Sequence, residues 1–140
     1  MRFMMMVKIP ATVTADDYPP DAELVAAMTR YNEELTKAGV LLALDGLHPA
    51  EHGARISFGA GGKPTVTDGP YAEAKELVGG YWIIDVRSKE EAVAWAGRAP
   101  MTDGDVIEVR QVFEMAEFPA DVQEAGRLSE LPPDQTIARS

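Results

Sequence analysis

The sequence predicts an α+β protein of the ferredoxin-like type, with the element order βαβββαβ, an antiparallel sheet and two helices on one face of that sheet. Two segments with helical spacing of apolar residues alternate with segments of strand character. Each helical segment begins at a residue suited to an N-cap, and turns rich in Gly and Pro separate the strands. These elements occupy residues 1–118 as one domain, and residues 119–140 form a C-terminal tail.

The first strand and the first helix make up the N-terminal part of the chain. Residues 2–9 are almost continuously apolar, which is typical of a central strand, and Pro10 closes that strand. Asp21 is suited to cap the helix that follows. Apolar residues then recur three and four positions apart, at Leu24, Met28, Tyr31 and Leu35. Gly39 is suited to end the helix.

The middle of the chain predicts a second strand and a hairpin. The second strand begins at residues 40–44, is interrupted at Asp45 and Gly46, and resumes with alternating residues at 54–58. A glycine-rich turn at residues 59–62 leads into residues 64–67, which return as the hairpin partner. No helix begins after that turn, so the sequence predicts no phosphate-binding loop and no cofactor.

The second half of the chain repeats the strand and helix pattern. Residues 77–86 form the longest strand, and Ser88 begins the second helix with Glu91 three positions later, as in a capping box. Residues 106–113 alternate as the closing strand. For the tail two interpretations remain open, a short helix through Val122, Ala125 and Leu128 or disorder.

Charge and cysteine content exclude several classes of protein. The chain carries 23 acidic and 13 basic residues, a net charge of −10, so it repels nucleic acid and anionic membrane surfaces. It contains no cysteine, which excludes disulfides, thiol nucleophiles and thiolate metal sites and fits a reducing compartment. The apolar run at residues 2–9 is too short to span a bilayer. We expect a soluble, cytoplasmic protein.

Residues 68–82 hold most of the side chains that bear chemistry. Asp68 opens an Asp-Gly-Pro turn, where its carboxylate either acts as a general base or caps nearby backbone amides. Glu73 and Glu76 lie on one face in a helix and on opposite faces in a strand, and Lys75 between them is suited to neutralise them. The stretch therefore predicts either a carboxylate site or a solvated set of charges.

The same stretch ends in a strand with two different faces. Gly79 and Gly80 allow the backbone to pass close to another segment. Tyr81 and Trp82 point to opposite faces, so one meets the helices and the other lies on the face that the helices leave open. An uncovered apolar face predicts an obligate homodimer, because soluble monomers rarely expose such a patch.

Two histidines, His48 and His52, flank Pro49 close to Asp45. On a helix, imidazoles four residues apart share a metal ion, but four steps of extended chain span about 13 Å, too far for one ion. We therefore expect histidines that order a loop, and no metal site.

A candidate catalytic pair and a set of ligand-binding residues follow from the loops. Asp68 and His48 each follow a strand segment that ends in a Gly-containing turn, so we expect both to face one pocket at the mouth of the sheet's open face. The expected ligand-binding residues lie near this pair: Asp45, Tyr71, Glu73, Lys75, Glu76 and Tyr81.

Several motifs together resemble the YCII-related (DGPF) family across about residues 2–118, with Tyr71 in place of Phe. They are Asp45-Gly46-Leu47-His48-Pro49, Thr67-Asp68-Gly69-Pro70, Glu73-Ala74-Lys75-Glu76, Gly79-Gly80 and Glu108-Val109-Arg110-Gln111-Val112-Phe113. The resemblance implies a dimeric α+β barrel, in which two sheets face each other and enclose a pocket. The family includes an aromatic-ring dehydrochlorinase, and some members resemble partners encoded with extracytoplasmic-function sigma factors.

The resemblance also implies where catalytic residues would lie. Members with a proposed active site have a His early in the first helix and an Asp just after the second. The matching regions here, residues 29–32 and 98–101, contain neither residue. Chemistry would then fall to Asp68, His48 or the Glu73 and Glu76 pair.

Three classes of function follow from these patterns. The first is a module that binds a small organic molecule in the pocket, including a regulatory partner of a sigma-factor system. The second is a small-molecule acid–base enzyme, such as a lyase or dehydrochlorinase. The third is a purely structural dimer. An apolar pocket without convergent titratable groups favours the first, and a buried carboxylate with a shifted pKa favours the second.

Overall fold

The computed structural model describes residues 1–17 and 20–127 of the chain. The order of its elements is ferredoxin-like, as predicted, with four antiparallel strands in one sheet in the order β2-β5-β1-β6. Two further strands, β3 and β4, form a separate hairpin. The elements are β1 (Arg2–Pro10), α1 (Ala22–Lys37), β2 (Leu41–Gly46), β3 (Ala54–Phe58), β4 (Pro64–Asp68), β5 (Glu76–Asp85), α2 (Lys89–Gly97), β6 (Val106–Gln111) and α3 (Ala120–Ala125).

Side-chain caps and a glycine fix the ends of the two long helices. The Asp21 carboxylate accepts a hydrogen bond from the Leu24 amide at 2.8 Å, which caps α1 as predicted. Gly39 follows α1 with φ +74°, a conformation that favours glycine. Ser88 caps α2 through the Glu91 amide, but the Glu91 carboxylate accepts from the Arg87 amide instead of closing a capping box on Ser88.

The core lies between the sheet and both helices. Alternate residues of the two central strands, Phe3 and Met5 on β1 and Trp82 and Ile84 on β5, are buried against the helices. From the helices, Tyr31 and Leu35 of α1 and Ala92 of α2 join the same cluster. Both helices therefore cover one face of the sheet, and the residues between the buried ones, such as Met4, Met6 and Ile83, are half-buried on the other face.

The interrupted second strand turns out to be two separate strands. Leu47 donates the last hydrogen bond of this edge to the Gly79 carbonyl, and Pro49 then starts a 3-10 turn over Ala50–His52. The turn carries the chain away from the sheet, so β3 pairs with β4 and not with β5. Every residue of β3 and β4 is exposed.

The C-terminal tail begins with the short helix α3, which is capped at its end by Gly126 packed against Met115. The end of the predicted tail helix, at Leu128, lies outside the described residues, as do residues 129–140. In the part of the chain that the structure describes, no helix combines the length and apolar character needed to cross a membrane.

Candidate functional site

An apolar cavity lies between α1, the helix-covered face of the sheet and the loop after α2, and we call it the helix-side cavity. Its volume is about 400 Å³. Most of its walls are apolar, and they come from β1, α1, β2, β5 and the loop at residues 100–105. Its lining residues include Val7, Ile9, Leu24, Met28, Asn32, Leu44, Asp45, Gly79, Gly80, Tyr81, Trp82, Met101, Thr102 and Asp105.

The glycine pair of β5 allows the strands around this cavity to come close together. A Cβ on Gly79 would lie 2.8 Å from Cγ2 of Ile9, and one on Gly80 would lie 3.0 Å from the Asp45 carbonyl oxygen. Gly80 pairs with Val7 and Val78 pairs with Lys8, so Gly79 is the extra residue of a β-bulge. This confirms the prediction that Gly79 and Gly80 mark a close backbone approach.

One polar group of the cavity is the side chain of Asn32, which is not among the residues selected from the sequence. The Trp82 indole Nε1 donates a hydrogen bond to Asn32 Oδ1 at 2.8 Å, so the amide oxygen is committed to the buried tryptophan. The amide nitrogen of Asn32 donates no hydrogen bond to any described residue. An acceptor placed in the cavity is therefore the natural partner of that nitrogen. In the sequence, Asn32 is detectable as a polar residue four positions after Met28, which itself lies four positions after Leu24.

The loop after α2 forms the polar rim of the cavity. The Asp105 carboxylate oxygen Oδ2 accepts hydrogen bonds from the Thr102 amide at 2.8 Å and from the Thr102 hydroxyl at 3.0 Å. The other oxygen, Oδ1, accepts none from the described residues. The Asp105 carboxylate on the rim therefore keeps one oxygen that no described residue uses.

Two tyrosines near the cavity are held in the neutral form. Burial raises the pKa of Tyr31 to about 12, and its hydroxyl donates to the Trp95 carbonyl at 2.6 Å. Tyr31 also meets Trp82 edge-to-face, with ring centroids 5.5 Å apart. A hydrogen bond from Tyr81 to the Asp45 carboxylate, at 3.0 Å, raises the pKa of Tyr81. Neither phenol is suited to act as a base near neutral pH.

A second cavity of about 310 Å³ lies beside the 3-10 turn, and we call it the histidine cavity. His48, His52 and Tyr71 are its polar side chains, and apolar residues including Ile9, Leu47, Leu77 and Val78 line the rest. The two imidazole rings contact each other, with centroids 5.0 Å apart. The extended geometry expected for these histidines is wrong, because the turn after Pro49 brings the rings together.

The remaining residues selected from the sequence are exposed and line neither cavity. The carboxylate of Asp68, at the end of β4, is exposed and accepts no hydrogen bond from the described residues, so it does not form the expected cap on the backbone amides. The turn is instead held by the Gly69 amide, which donates to the Gly53 carbonyl. Among the described residues, Glu73, Lys75 and Glu76 are exposed and form no salt bridge.

The structure therefore places four of the eight selected residues in two different cavities. Asp45 and Tyr81 line the helix-side cavity, and His48 and Tyr71 line the histidine cavity. Asp68 lines neither of them. Within residues 1–17 and 20–127, no three His, Asp or Glu side chains are grouped closely enough to hold a metal ion.

Comparison with known families agrees with this architecture. The profile of the YCII-related domain matches residues 1–116, which is most of the chain. The chain belongs to the YCII-related domain family. A search of curated proteins found no match. The matched residues contain the whole four-stranded sheet, α1, α2 and the linings of both cavities.

Proposed function

We propose that this YCII-related protein binds a small, largely apolar organic molecule that carries a hydrogen-bond acceptor, in the helix-side cavity. The observation that carries the proposal is the Asn32 amide, whose oxygen accepts from Trp82 and whose nitrogen donates to none of the described residues, in a largely apolar cavity. Ligand pockets in proteins combine such apolar walls with few fixed polar groups.

The fixed orientation of Asn32 gives the cavity its selectivity. Trp82 is only 4% exposed, so its indole N–H needs the amide oxygen as an acceptor and holds the side chain in one orientation. The N–H groups of that amide then favour a ligand carbonyl, ether or hydroxyl oxygen over a bare hydrocarbon. Apolar burial supplies affinity, and this donor selects among ligands of similar shape.

Matched probes test the proposal without knowledge of the natural ligand. Acetophenone carries an aromatic ring and a carbonyl acceptor, and ethylbenzene has a similar shape without the acceptor. The chain contains two tryptophans, so their indole N–H signals in a proton NMR spectrum are readily assigned. We expect acetophenone to shift the Trp82 signal at lower concentration than ethylbenzene does. No response of Trp82 to either probe would contradict the proposal.

A second candidate function is acid–base catalysis on a molecule in the same cavity. The Asp105 carboxylate favours it, because Asp105 lines the cavity and its Oδ1 oxygen accepts no hydrogen bond from the described residues. Asp105→Asn would then abolish turnover and leave binding intact. The pair of Asp68 and His48 stays a prediction for the enzyme, tested by Asp68→Asn in the same turnover assay.

We also infer that the protein is a homodimer. On the open face of the sheet, Met4, Met6 and Ile83 are half-buried and form an apolar surface. The hairpin adds Ile56, Phe58 and Val66, which are 51%, 72% and 64% exposed and lie on one hairpin face. An isolated hairpin is only marginally stable, and a second copy supplies the missing support in a self-complementary way.

A charged residue on the open face tests the dimer. We expect Ile83→Asp to give monomers in sedimentation, because it places a carboxylate in the interface. Val25→Asp is the matched control, since Val25 is 48% exposed on α1 and lies away from that face. A wild-type protein that sediments as a monomer at micromolar concentration would contradict the inference.

The composition supports a proposed location and argues against some kinds of partner. The lack of cysteine supports a cytoplasmic location, and the net charge of −10 argues against nucleic acid and anionic membranes as partners. The proposed partners are a second copy of the chain and a small organic ligand.

A further inference from the structure

The histidine cavity carries a set of hydrogen-bond donors that the proposed function does not use. His48 and His52 line it together, and neither imidazole forms a hydrogen bond with another described residue. The Tyr71 hydroxyl also lacks a hydrogen-bond partner among the described residues, and it lies where a Cβ on Gly53 would meet it at 3.0 Å. Three groups that can donate therefore line one cavity of about 310 Å³.

The residues that line this cavity favour an anion over a cation. Among the described residues, no Asp or Glu lines the cavity, although the chain as a whole carries 23 acidic residues. Glu51, between the two histidines, uses its carboxylate to accept from the Ala15 amide at 2.9 Å. The Arg55 guanidinium lies 5.0 Å from the centre of the Tyr71 ring, which places a positive charge beside the phenol. A metal ion would find two imidazoles and no carboxylate ligand among the lining residues.

The remaining walls define the rest of the ligand. Ile9, Leu47, Leu77 and Val78 are apolar and lie in the same cavity as the donors. A molecule that fits both parts has a compact apolar body and a carboxylate at one end. Carboxylates accept hydrogen bonds at two oxygens, which matches several donors side by side.

We propose that the histidine cavity is a second binding site, for a small organic carboxylate held by His48, His52 and Tyr71. The site is separate from the helix-side cavity, although Ile9 lines both. It also gives His48 a role that requires no catalytic partner. Benzoate is a suitable probe, and benzamide is its neutral counterpart of the same shape.

The two histidines of the chain make the site readable by NMR. In a titration with benzoate, we expect both histidine ring signals to shift while the Trp82 indole signal stays in place. Benzamide should bind about tenfold more weakly, because it lacks the charge that strengthens the hydrogen bonds. Equal affinity for the two probes, or shifts of Trp82 in place of the histidines, would overturn the proposal.

Variants of the donors provide the second arm of the experiment. We expect His48→Gln with His52→Gln to weaken benzoate binding by about tenfold or more, measured by calorimetry, and Tyr71→Phe to weaken it less. The Trp82 indole signal reports whether each variant is folded, since Trp82 belongs to the core cluster and none of these residues does. Unchanged benzoate affinity in the folded double variant would refute the site, and so would histidine signals that respond to Zn²⁺ but not to benzoate.

Discussion

The two cavities differ in what holds their polar groups in place. In the helix-side cavity the Asn32 amide is fixed by a buried tryptophan, and the wall belongs to the hydrophobic core. In the histidine cavity, His52 lies in a 3-10 turn, His48 just before it and Tyr71 in the loop before β5, and none of these side chains forms a hydrogen bond with another described residue. The difference teaches that one site is built into the fold, whereas the other depends on a local turn outside the main sheet.

The largest expected effect is that of Gly69→Ala, which should disturb the histidine cavity and leave the helix-side cavity intact. A Cβ at this position would overlap the carbonyl oxygen of Ala50, in the turn that carries the histidines. Gly69→Ala should therefore cost about 1–3 kcal/mol of unfolding free energy, as overpacking does, and displace both histidine signals. Thermal or urea unfolding measures the loss. Gly97→Ala is the control, because a Cβ there meets no atom within 4 Å.

The Gly69→Ala variant also tests whether the two cavities are independent of each other. If the histidine cavity is a local feature, the Trp82 indole signal and acetophenone binding should survive Gly69→Ala. Loss of acetophenone binding in a protein that remains folded would show that the two cavities form one unit.

The next effect concerns the helix-side cavity alone. Asn32→Ala leaves the buried Trp82 indole without its acceptor and should lower the unfolding free energy by about 1–3 kcal/mol. Glu33→Ala, at the exposed neighbouring position of α1, should leave it nearly unchanged. Equal melting temperatures for the two variants would mean that the hydrogen bond to Trp82 contributes little.

A pH experiment sharpens the claim that the helix-side wall belongs to the core. The pKa of Tyr31 is about 12 in the folded protein, against about 10 in an unfolded chain. The unfolded state therefore loses this proton first, and stability should fall as pH rises from about 10 to about 12. Tyr31→Phe should show a shallower fall in melting temperature over that window. A variant whose melting temperature falls as steeply as that of wild type would contradict this assignment.

The smallest effect concerns Tyr81 and Asp45. Asp45→Asn removes the charged acceptor that raises the pKa of Tyr81, so the phenol should titrate at lower pH, as followed by ultraviolet absorbance. Because Asp45 is exposed and Tyr81 is only half-buried, we expect no change in melting temperature. An unchanged Tyr81 titration would show that the hydrogen bond is not formed in solution.

The features of the fold that the sequence predicts correctly depend on residues close together in the chain. The caps at Asp21 and Ser88, the glycine at position 39 and the apolar spacing of α1 act over a few residues, so the sequence alone reveals them. The separation of β2 from β3 depends on which distant strand each one pairs with. For that reason the sequence alone predicts one interrupted strand where the structure has two.

The candidate sites were less predictable because they combine distant segments. Asn32 was detectable in principle, as a polar residue four positions after Met28 on the helix face that packs on the sheet. Its meaning comes from Trp82, fifty residues later in the chain. The contact of His48 with His52 required the 3-10 turn, and the place of Asp105 on the rim required the packing of the loop after α2.

The most direct test of the central claim is the affinity of Asn32→Asp for acetophenone and ethylbenzene, measured beside wild type. Aspartate keeps an oxygen for the Trp82 indole and removes the amide N–H groups that face the ligand. We expect wild type to prefer acetophenone by about tenfold and the variant to bind both probes with similar affinity. A folded variant that keeps the wild-type preference would contradict the proposal that Asn32 selects the ligand.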